Sequence, residues 1–174
     1  EYLDKKDVVE TLDISILQQY ILDEMFRDAY TASGISVNGW SINNDKTKKI
    51  PIDSARYLFG YCSQIKSIAI SNWRFANYNS SESTLNGFAY DCHQFSSIAF
   101  TNCEFANGTA SKFMEWLGIQ KAFSPGNTML DLSHSVFEFN GRSASKMFAD
   151  TNLETINLSC TRFVGANDFS YMFA

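Results

Sequence analysis

The sequence predicts an α/β solenoid, in which short repeated units stack and share one hydrophobic core. The first observation is a near-duplication, because SIAISNWRF at 67–75 returns as SIAFTNCEF at 97–105. The second is that related strand motifs recur along the chain at steps of 33, 30, 32 and 26 residues. The third is a Ser- or Asp-led segment with a Phe between successive copies. Each unit is too short to bury its apolar face alone, so stacked neighbours are expected to cover it.

The strand motif has an apolar residue, any residue, a second apolar residue, a small polar residue and, four positions later, a bulky apolar residue. Its copies are Ile68, Ile70, Ser71 and Phe75; Ile98, Phe100, Thr101 and Phe105; Leu130, Leu132, Ser133 and Phe137; Ile156, Leu158, Ser159 and Phe163; and a weaker Ile35, Val37, Asn38 and Ile42. The alternation is typical of short strands, here parallel ones. Phe75, Phe105, Phe137 and Phe163 are expected to form one column of rings through the stack.

The residues between the inward apolar positions are predicted to face outward and to form the candidate binding face. They are small and can form hydrogen bonds, but they lack the Trp, Tyr and Arg that dominate binding hot spots. A plain solvated sheet surface is therefore the alternative interpretation. The candidate binding face comprises Ser67, Ala69, Ser71, Ser97, Ala99, Thr101, Met129, Asp131, Ser133, Thr155, Asn157 and Ser159.

A second motif lies between the strand motifs and predicts short helical turns. Its copies are SARYLFGYC at 54–62, STLNGFAYDC at 83–92, SASKMFAD at 143–150 and DFSYMFA at 168–174, with LDEMFRD at 22–28 as a further example. A leading Ser or Asp can cap a first helical turn by accepting from its unpaired N–H groups. The segment at 111–127 predicts a longer helix that ends at Pro125 and Gly126.

These motifs divide the chain into two regions. Residues 1–30 are charged and helix-favouring, and they predict an N-terminal helical cap over the exposed end of the core. A degenerate first repeat is the alternative, because LDIS at 12–15 imitates the strand motif. Residues 31–174 predict about five units, and the last is expected to be truncated because the chain ends within the second motif.

Two C-terminal segments resemble a known family. INLSCTRFVGANDFSYMFA at 156–174 and LDLSHSVFEFNGRSASKMFAD at 130–150 resemble the bacterial BspA-like leucine-rich repeats, a group that includes a mycoplasma-type domain of unknown function. Met147-Phe148 and Met172-Phe173 match the Met-Phe pair of these repeats. The resemblance implies a leucine-rich-repeat-like solenoid, a bacterial surface or secreted location, and adhesion-type binding of host or partner macromolecules. It implies no catalytic residues.

The sequence offers no catalytic, cofactor-binding or metal-binding constellation. Cys62 and Cys92 follow the second motif at nearly equivalent positions, so they could form a disulfide or fill small buried sites as compact hydrophobic residues. The formal net charge is −5 and no basic stripe is present, which argues against nucleic acid as a partner. No apolar run reaches the roughly 20 residues of a membrane-spanning helix.

We therefore expect a non-catalytic repeat module that binds a protein or glycan partner. One alternative is a structural spacer that carries another domain. A second is a pentapeptide-type β-helix interaction protein, because apolar residues recur every five positions in TNLETINLSCTRF at 151–163. The helical turns predicted at 54–62 and 111–123 argue against this second alternative.

Overall fold

The computed structural model describes residues 21–29, 34–37, 39–41, 43, 45, 47–75, 85, 87–106, 113, 129–149, 151 and 153–174. Their strands form two five-stranded parallel sheets. Sheet A comprises β1 (Gly34–Ser36), β3 (Ser67–Ser71), β5 (Ser97–Thr101), β7 (Met129–Asp131) and β9 (Thr155–Asn157). Sheet B comprises β2 (Ile50–Ile52), β4 (Trp73–Phe75), β6 (Glu104–Phe105), β8 (Val136–Glu138) and β10 (Arg162–Val164). The fold is a parallel β-solenoid, and each pair of consecutive strands is one rung.

Sheet A is built from the first half of each strand motif. Ile35, Ile68, Ile98, Leu130 and Ile156 lie in register on its adjacent strands. In β3 and β5 the apolar residues are buried and the residues that alternate with them are partly exposed. A shift of one residue would turn every apolar side chain to the solvent, so the pattern fixes the register. The predicted stack of parallel strands is confirmed.

Sheet B is built from the second half of each motif, which the sequence analysis did not predict to be a separate sheet. The chain bends at Asn72 and at Asn102, and these residues have positive φ angles of 63° and 51°. Asn adopts this left-handed conformation more readily than most residues because its short side chain can form local hydrogen bonds. The Asn102 Nδ2 atom also donates to Asn72 Oδ1 over 2.5 Å. The Asn shared by the two opening stretches therefore forms the corner between the sheets.

The predicted column of phenylalanine rings is confirmed. Phe75, Phe105, Phe137 and Phe163 are in register on successive strands of sheet B. Their ring centroids are separated by 5.1, 4.6 and 5.3 Å in order along the column. The rings are nearly parallel, with interplanar angles of 11°, 9° and 12°. The core therefore runs continuously along the solenoid axis.

The short helical turns predicted from the second motif are wrong over the described residues. Between Ala55 and Cys62 the backbone forms consecutive β-turns, with N–H groups donating to the carbonyl three residues earlier. Tyr57 and Tyr61 have φ angles of 52° and 61°, which a right-handed α-helix does not contain. Alternate N–H groups donate to the neighbouring rung, as Phe59 does to the Phe88 carbonyl over 2.8 Å. These turns stack into a third side of the solenoid, the turn column.

The predicted N-terminal helical cap is also wrong where the structure describes it. Glu24 and Asp28 have φ angles of 60° and 59°, so residues 21–29 do not form an α-helix. The Leu22 N–H donates to the Ser54 carbonyl over 2.8 Å, and the Phe26 N–H donates to the Leu58 carbonyl over 2.9 Å. This segment therefore begins the turn column, as the similarity of LDEMFRD to the second motif indicates. Residues 1–20 lie outside the described residues.

The weakest copy of the strand motif was aligned incorrectly at its end. The position in register with Phe75 is occupied by Ile52, and Ile42 lies outside the described residues. The segment between β1 and β2 is longer than the corresponding corners, so the motif spacing does not hold in this rung. Trp40 and Trp73 are both buried in the core, with their rings 5.6 Å apart.

Parts of the chain named in the sequence analysis lie outside the described residues. In the predicted helix at 111–127 only Phe113 is described, and it is helical and fully buried. The turns at 54–62 remove one of the two objections to the β-helix alternative, whereas the other segment, 111–123, is described only at the helical Phe113. Among the described residues, no helix has the length and apolar character that crossing a membrane requires.

Candidate functional site

The candidate binding face is the outer surface of sheet A. The register brings its predicted residues into rows that cross the strands. One row contains Ser67, Ser97, Met129 and Thr155, and the next contains Ala69, Ala99, Asp131 and Asn157. Ser71 and Thr101 are also in register. The structure therefore assembles these residues into one surface, and Ser133 and Ser159 lie two residues after the ends of β7 and β9.

The exposure of these side chains agrees with the outward prediction except at one position. Ser133 is only 9 % exposed, because the chain turns at the corner directly after it. Met129, Thr155 and Ser159 are exposed, and the remaining predicted residues are partly exposed. The face is consequently shallow and lined by short side chains. Ser133 is therefore not part of the exposed candidate binding face.

Asp131 is the one acidic residue of the predicted face, and it is held in place by its neighbours. Its Oδ1 atom accepts from the Ser133 N–H over 2.9 Å and from Asn157 Nδ2 over 3.1 Å. The first bond follows the pattern by which Asp stabilises a turn two residues on. The second bond joins the rungs of β7 and β9 across the surface. The carboxylate is therefore positioned rigidly at the face.

The outer face of sheet B has a different chemical character. Arg74 and Glu104 are cross-strand neighbours, and Arg74 Nε donates to Glu104 Oε1 over 2.6 Å. Val136 and Arg162 continue the same row on β8 and β10. Partly exposed ion pairs of this kind contribute little free energy, typically about 0–1 kcal/mol. Sheet B therefore presents long charged side chains where sheet A presents short ones.

The buried cysteines serve as small hydrogen-bond donors between rungs. Cys103, Ser135 and Thr161 occupy equivalent positions directly after the corner between the sheets. Ser135 Oγ donates to the Phe100 carbonyl over 2.8 Å, and Thr161 Oγ1 donates to the Leu132 carbonyl over 2.7 Å. Cys103 Sγ lies 4.0 Å from the Ile70 carbonyl and makes the weaker equivalent of this contact. Cysteine at this position therefore has a structural role.

Cys62 and Cys92 have the same role in the turn column. The Cys62 thiol donates to the Phe26 carbonyl and the Cys92 thiol to the Phe59 carbonyl, each over 3.0 Å. Both are free thiols in the structure, so the interpretation as compact buried residues is the one observed. The hydrogen bond with Cys62, together with burial, raises the pKa of the Cys92 thiol. A raised pKa makes a thiol less reactive, because the thiolate is the nucleophile.

The two histidines are both exposed on the outside of the solenoid. His134 is exposed at a corner with a φ angle of 59°, and it directly follows the buried Ser133. His93 is exposed, and its Nε2 atom lies 2.6 Å from Asp91 Oδ1. In the part of the chain that the structure describes, no three His, Cys, Asp or Glu residues are grouped so that they could hold a metal ion.

A cluster of tyrosines on the outside of the turn column was not predicted from the sequence. The Tyr90 ring lies 6.0 Å from the Tyr57 ring and 5.6 Å from the Tyr61 ring, both in edge-on contacts. The signal was present in the sequence, because YLFGY at 57–61 and the later Tyr90 occur in aligned copies of the second motif. The cluster was not predicted because the motif was expected to be helical, and a helix would place these side chains differently. Tyr57, Tyr61 and Tyr90 form the tyrosine cluster.

Comparison with protein-family models, curated proteins and solved structures returned no match for this chain. The resemblance to the BspA-like repeats therefore stays a prediction that depends on the quoted motifs. What the chain itself supplies is a β-solenoid with three chemically distinct outer sides. These are a face of short polar side chains, a face of charged side chains, and a turn column with a tyrosine cluster.

Proposed function

We propose that the protein is a non-catalytic interaction module of a bacterial surface or secreted protein, and that it binds a protein or glycan partner. The single observation that carries this proposal is the in-register outer face of sheet A. Ser67 aligns with Ser97, Ala69 with Ala99, and Ser71 with Thr101 across adjacent strands. The BspA-like resemblance of the C-terminal repeats supports the cellular location and the adhesion-type role.

The geometry of a parallel sheet explains how such a face could bind an extended partner. Neighbouring strands lie about 4.8 Å apart, and alternate residues along a strand are separated by roughly 6.6 Å. Hydroxyl, amide and carboxylate groups repeated at these spacings can form several hydrogen bonds with one polymeric partner. The three inner strands β3, β5 and β7 are each held by two neighbouring strands, so little side-chain and backbone freedom is lost on binding. The affinity of such a rigid face for its partner depends on how many weak hydrogen bonds it forms.

The composition of the face also predicts modest affinity at each contact. Interfaces of high affinity depend on a few large residues, chiefly Trp, Tyr and Arg. Sheet A presents mainly Ser, Thr, Ala and Asn toward the solvent. Adhesion tolerates weak individual contacts, because several linked modules bind with much greater combined strength. The proposal therefore predicts weak binding by the isolated chain and stronger binding by a multivalent form.

A pair of arginine substitutions on sheet A tests this proposal. Ala69→Arg with Ala99→Arg places two long cationic side chains at the centre of the face, where the native side chains are partly exposed. The matched control is Val136→Arg, which places one long cationic side chain on the outer face of sheet B. Chains multimerised on beads would be measured for binding to immobilised fibronectin, laminin and collagen and to a glycan array.

The expected result is binding to at least one of these probes that the sheet A variant loses and the sheet B variant keeps. Unfolding curves of both variants would establish that the fold is intact. Failure of the multimerised native chain to bind any probe would contradict the proposal. Equal loss of binding in both variants would also contradict it, because the binding surface would then not be sheet A.

A structural spacer is the second candidate, and the continuous core favours it. The ring column from Phe75 to Phe163 and the hydrogen-bonded sheets connect each rung to the next without interruption. Repeat proteins of this kind are stiff because every unit is restrained by its neighbours. A spacer would hold another domain at a fixed distance. In that case the sheet A variant of the parent protein would bind its partner as well as the native parent does.

A further inference from the structure

The tyrosine cluster places three aromatic side chains together on the outer side of the turn column. Tyr90 is 48 % exposed, and Tyr57 and Tyr61 are partly exposed. Tyr and Arg are the residues that most often supply the binding energy of interfaces, because they combine a large apolar area with polar groups. Sheet A lacks such residues. The cluster is therefore a second candidate surface, distinct from the face of sheet A.

The positions of the tyrosines are fixed by the backbone. Tyr57 and Tyr61 have positive φ angles, and the equivalent positions of the next rung are occupied by Gly87 and Asp91, which share this conformation. The Tyr57 ring lies against Gly87 so closely that a Cβ atom there would be 2.7 Å from the ring Cε1 atom. A glycine at this position thus admits the ring. The cluster is held rigidly, which lowers the entropy lost on binding.

The cluster already holds one cation. The Arg27 guanidinium lies over the Tyr61 ring, with its Cζ atom 4.9 Å from the ring centroid. The same guanidinium contacts two carboxylates, with Nη1 2.8 Å from Glu24 Oε1 and Nε 3.6 Å from Asp28 Oδ2. A cation above an aromatic ring is attracted by the negative face of the ring. The surface thus combines ring faces and carboxylates in the arrangement that binds a guanidinium.

A tyrosine and a carboxylate are also neighbours in the third copy of the turn, where Asp91 Oδ1 lies 2.6 Å from His93 Nε2. Asp91 stands beside Tyr90 and is equivalent to Asp28 in the first rung, and its side chain is half-exposed. Glu24, Asp28 and Asp91 place three carboxylates near the tyrosines and the Arg27 guanidinium, and the whole chain carries a formal charge of −5. This charge favours a cationic partner and disfavours an anionic one.

We propose that the tyrosine cluster binds an arginine-bearing segment of a protein partner, with the Tyr90 ring and the Asp91 carboxylate receiving a partner guanidinium. This inference deepens the proposed function, on which it rests, by adding a second surface and the chemical class of the partner. A neutral glycan could stack on the rings, but it would gain nothing from the carboxylates. The acidic surroundings therefore favour the cationic peptide.

A synthetic oligo-arginine peptide is the probe, and its binding is measured by isothermal titration calorimetry. Tyr90→Leu removes the aromatic ring face and keeps much of the apolar volume, whereas Tyr90→Phe keeps the ring face. The matched control is Tyr171→Leu, which removes a tyrosine that is 70 % exposed elsewhere on the turn column. We expect Tyr90→Leu to weaken binding by about two- to fivefold, the range typical of exposed cation–π contacts. Tyr90→Phe and Tyr171→Leu should bind as the native chain does.

Added salt and a carboxylate substitution supply the second readout. Asp91→Asn should weaken oligo-arginine binding, and raising the salt concentration should weaken the binding of the native chain. An oligo-glutamate peptide should not bind. Native affinity in Tyr90→Leu would overturn the inference, and so would an equal loss in Tyr171→Leu. Tyr90-dependent binding of a neutral oligosaccharide without any binding of oligo-arginine would overturn it in favour of a glycan site.

The outcomes for this inference and for the proposed function are distinguishable. If the Ala69→Arg and Ala99→Arg chain loses its matrix or glycan partner while Tyr90→Leu binds oligo-arginine normally, the proposed function stands and the tyrosine inference fails. If Tyr90→Leu alone loses oligo-arginine binding and no variant of sheet A affects any probe, the tyrosine cluster is a binding site and sheet A is not.

Discussion

Phe105 stacks on Phe137 with a centroid separation of 4.6 Å and an interplanar angle of 9°. These residues are 32 positions apart in sequence, and they meet because β6 and β8 are adjacent parallel strands. Both side chains are fully buried. Phe105 also contacts Phe75 at 5.1 Å and Phe113 at 5.1 Å. It is therefore the ring through which the middle rungs are joined.

Replacing this ring should strongly destabilise the fold. Phe105→Ala is expected to lower the free energy of unfolding by about 3–5 kcal/mol, the usual cost of removing a fully buried Phe. Urea-induced unfolding monitored by circular dichroism would measure it. The control is Val164→Ala, whose side chain is 47 % exposed and should change stability by no more than about 0.5 kcal/mol. Similar losses in the two variants would contradict the assignment of Phe105 to the core column.

Gly→Ala substitutions at two positions with positive φ angles can distinguish the cost of backbone strain from the cost of a steric clash. Gly87 and Gly141 have φ angles of 64° and 77°, but only at Gly87 would a Cβ atom meet a neighbour, 2.7 Å from Tyr57 Cε1. Each Gly→Ala substitution should cost roughly 1–2 kcal/mol from the left-handed conformation. Gly87→Ala should cost clearly more, and Tyr57→Ala should recover part of the difference. Thermal unfolding would measure both, and equal effects at the two glycines would contradict the packing of Tyr57 on Gly87.

We expect the folded chain to lose stability in alkaline solution because of the buried Cys103 thiol. Burial raises the pKa of this thiol from 9.0 to about 12. Between these values the folded chain retains a proton that the unfolded chain releases, so the contribution is complete below pH 9 and falls as the pH rises toward 12. The slope attributable to one such group is at most about 1.4 kcal/mol per pH unit.

Unfolding of the native chain and of Cys103→Ala at several alkaline pH values measures this effect. The difference in unfolding free energy between the two chains should shrink as the pH rises, because only the native chain carries the buried thiol. Cys160→Ala is the control, since Cys160 is exposed. A difference that stays constant with pH would show that the Cys103 thiol does not retain its proton as expected.

Trp73 carries a buried polar atom that lacks a partner. Its Nε1 atom is the one buried side-chain nitrogen or oxygen without a hydrogen bond among the described residues. An unsatisfied buried donor costs about 1–3 kcal/mol. Trp73→Phe removes this cost while losing apolar contacts, so we expect a change below about 1.5 kcal/mol, whereas Trp73→Ala should cost about 3–5 kcal/mol. Chemical unfolding distinguishes these values, and equal losses in both variants would contradict this account of the indole nitrogen.

Much of the stacking was predictable from sequence because it depends on a repeated local pattern. The alternation in β3 and β5 has a single register that buries every apolar residue, so Ile68 and Ile98 had to align. The Phe residues follow at a fixed distance from these positions, and their column was predictable for the same reason. The rung that begins at β1 departs from this spacing, and there Ile52 took the place predicted for Ile42.

The candidate surfaces were predictable only in part. Outward positions on sheet A follow directly from the alternation, but the burial of Ser133 depends on how the chain turns after β7. The tyrosine cluster depends on contacts between Tyr90 and residues about 30 positions earlier. No single copy of the motif contains that information. It appears only when two copies are placed next to each other.

The sequence by itself determined that the units stack, which residues are aligned in sheet A, and which rings form the core column, because periodicity and burial are properties of each unit. The tertiary structure decided that the second motif forms β-turns and not helices. A capping Ser followed by apolar residues is compatible with either conformation in isolation. The deciding hydrogen bonds, such as that from the Phe59 N–H to the Phe88 carbonyl, join different rungs. A backbone N–H group can form such a hydrogen bond only when the neighbouring rung is in place.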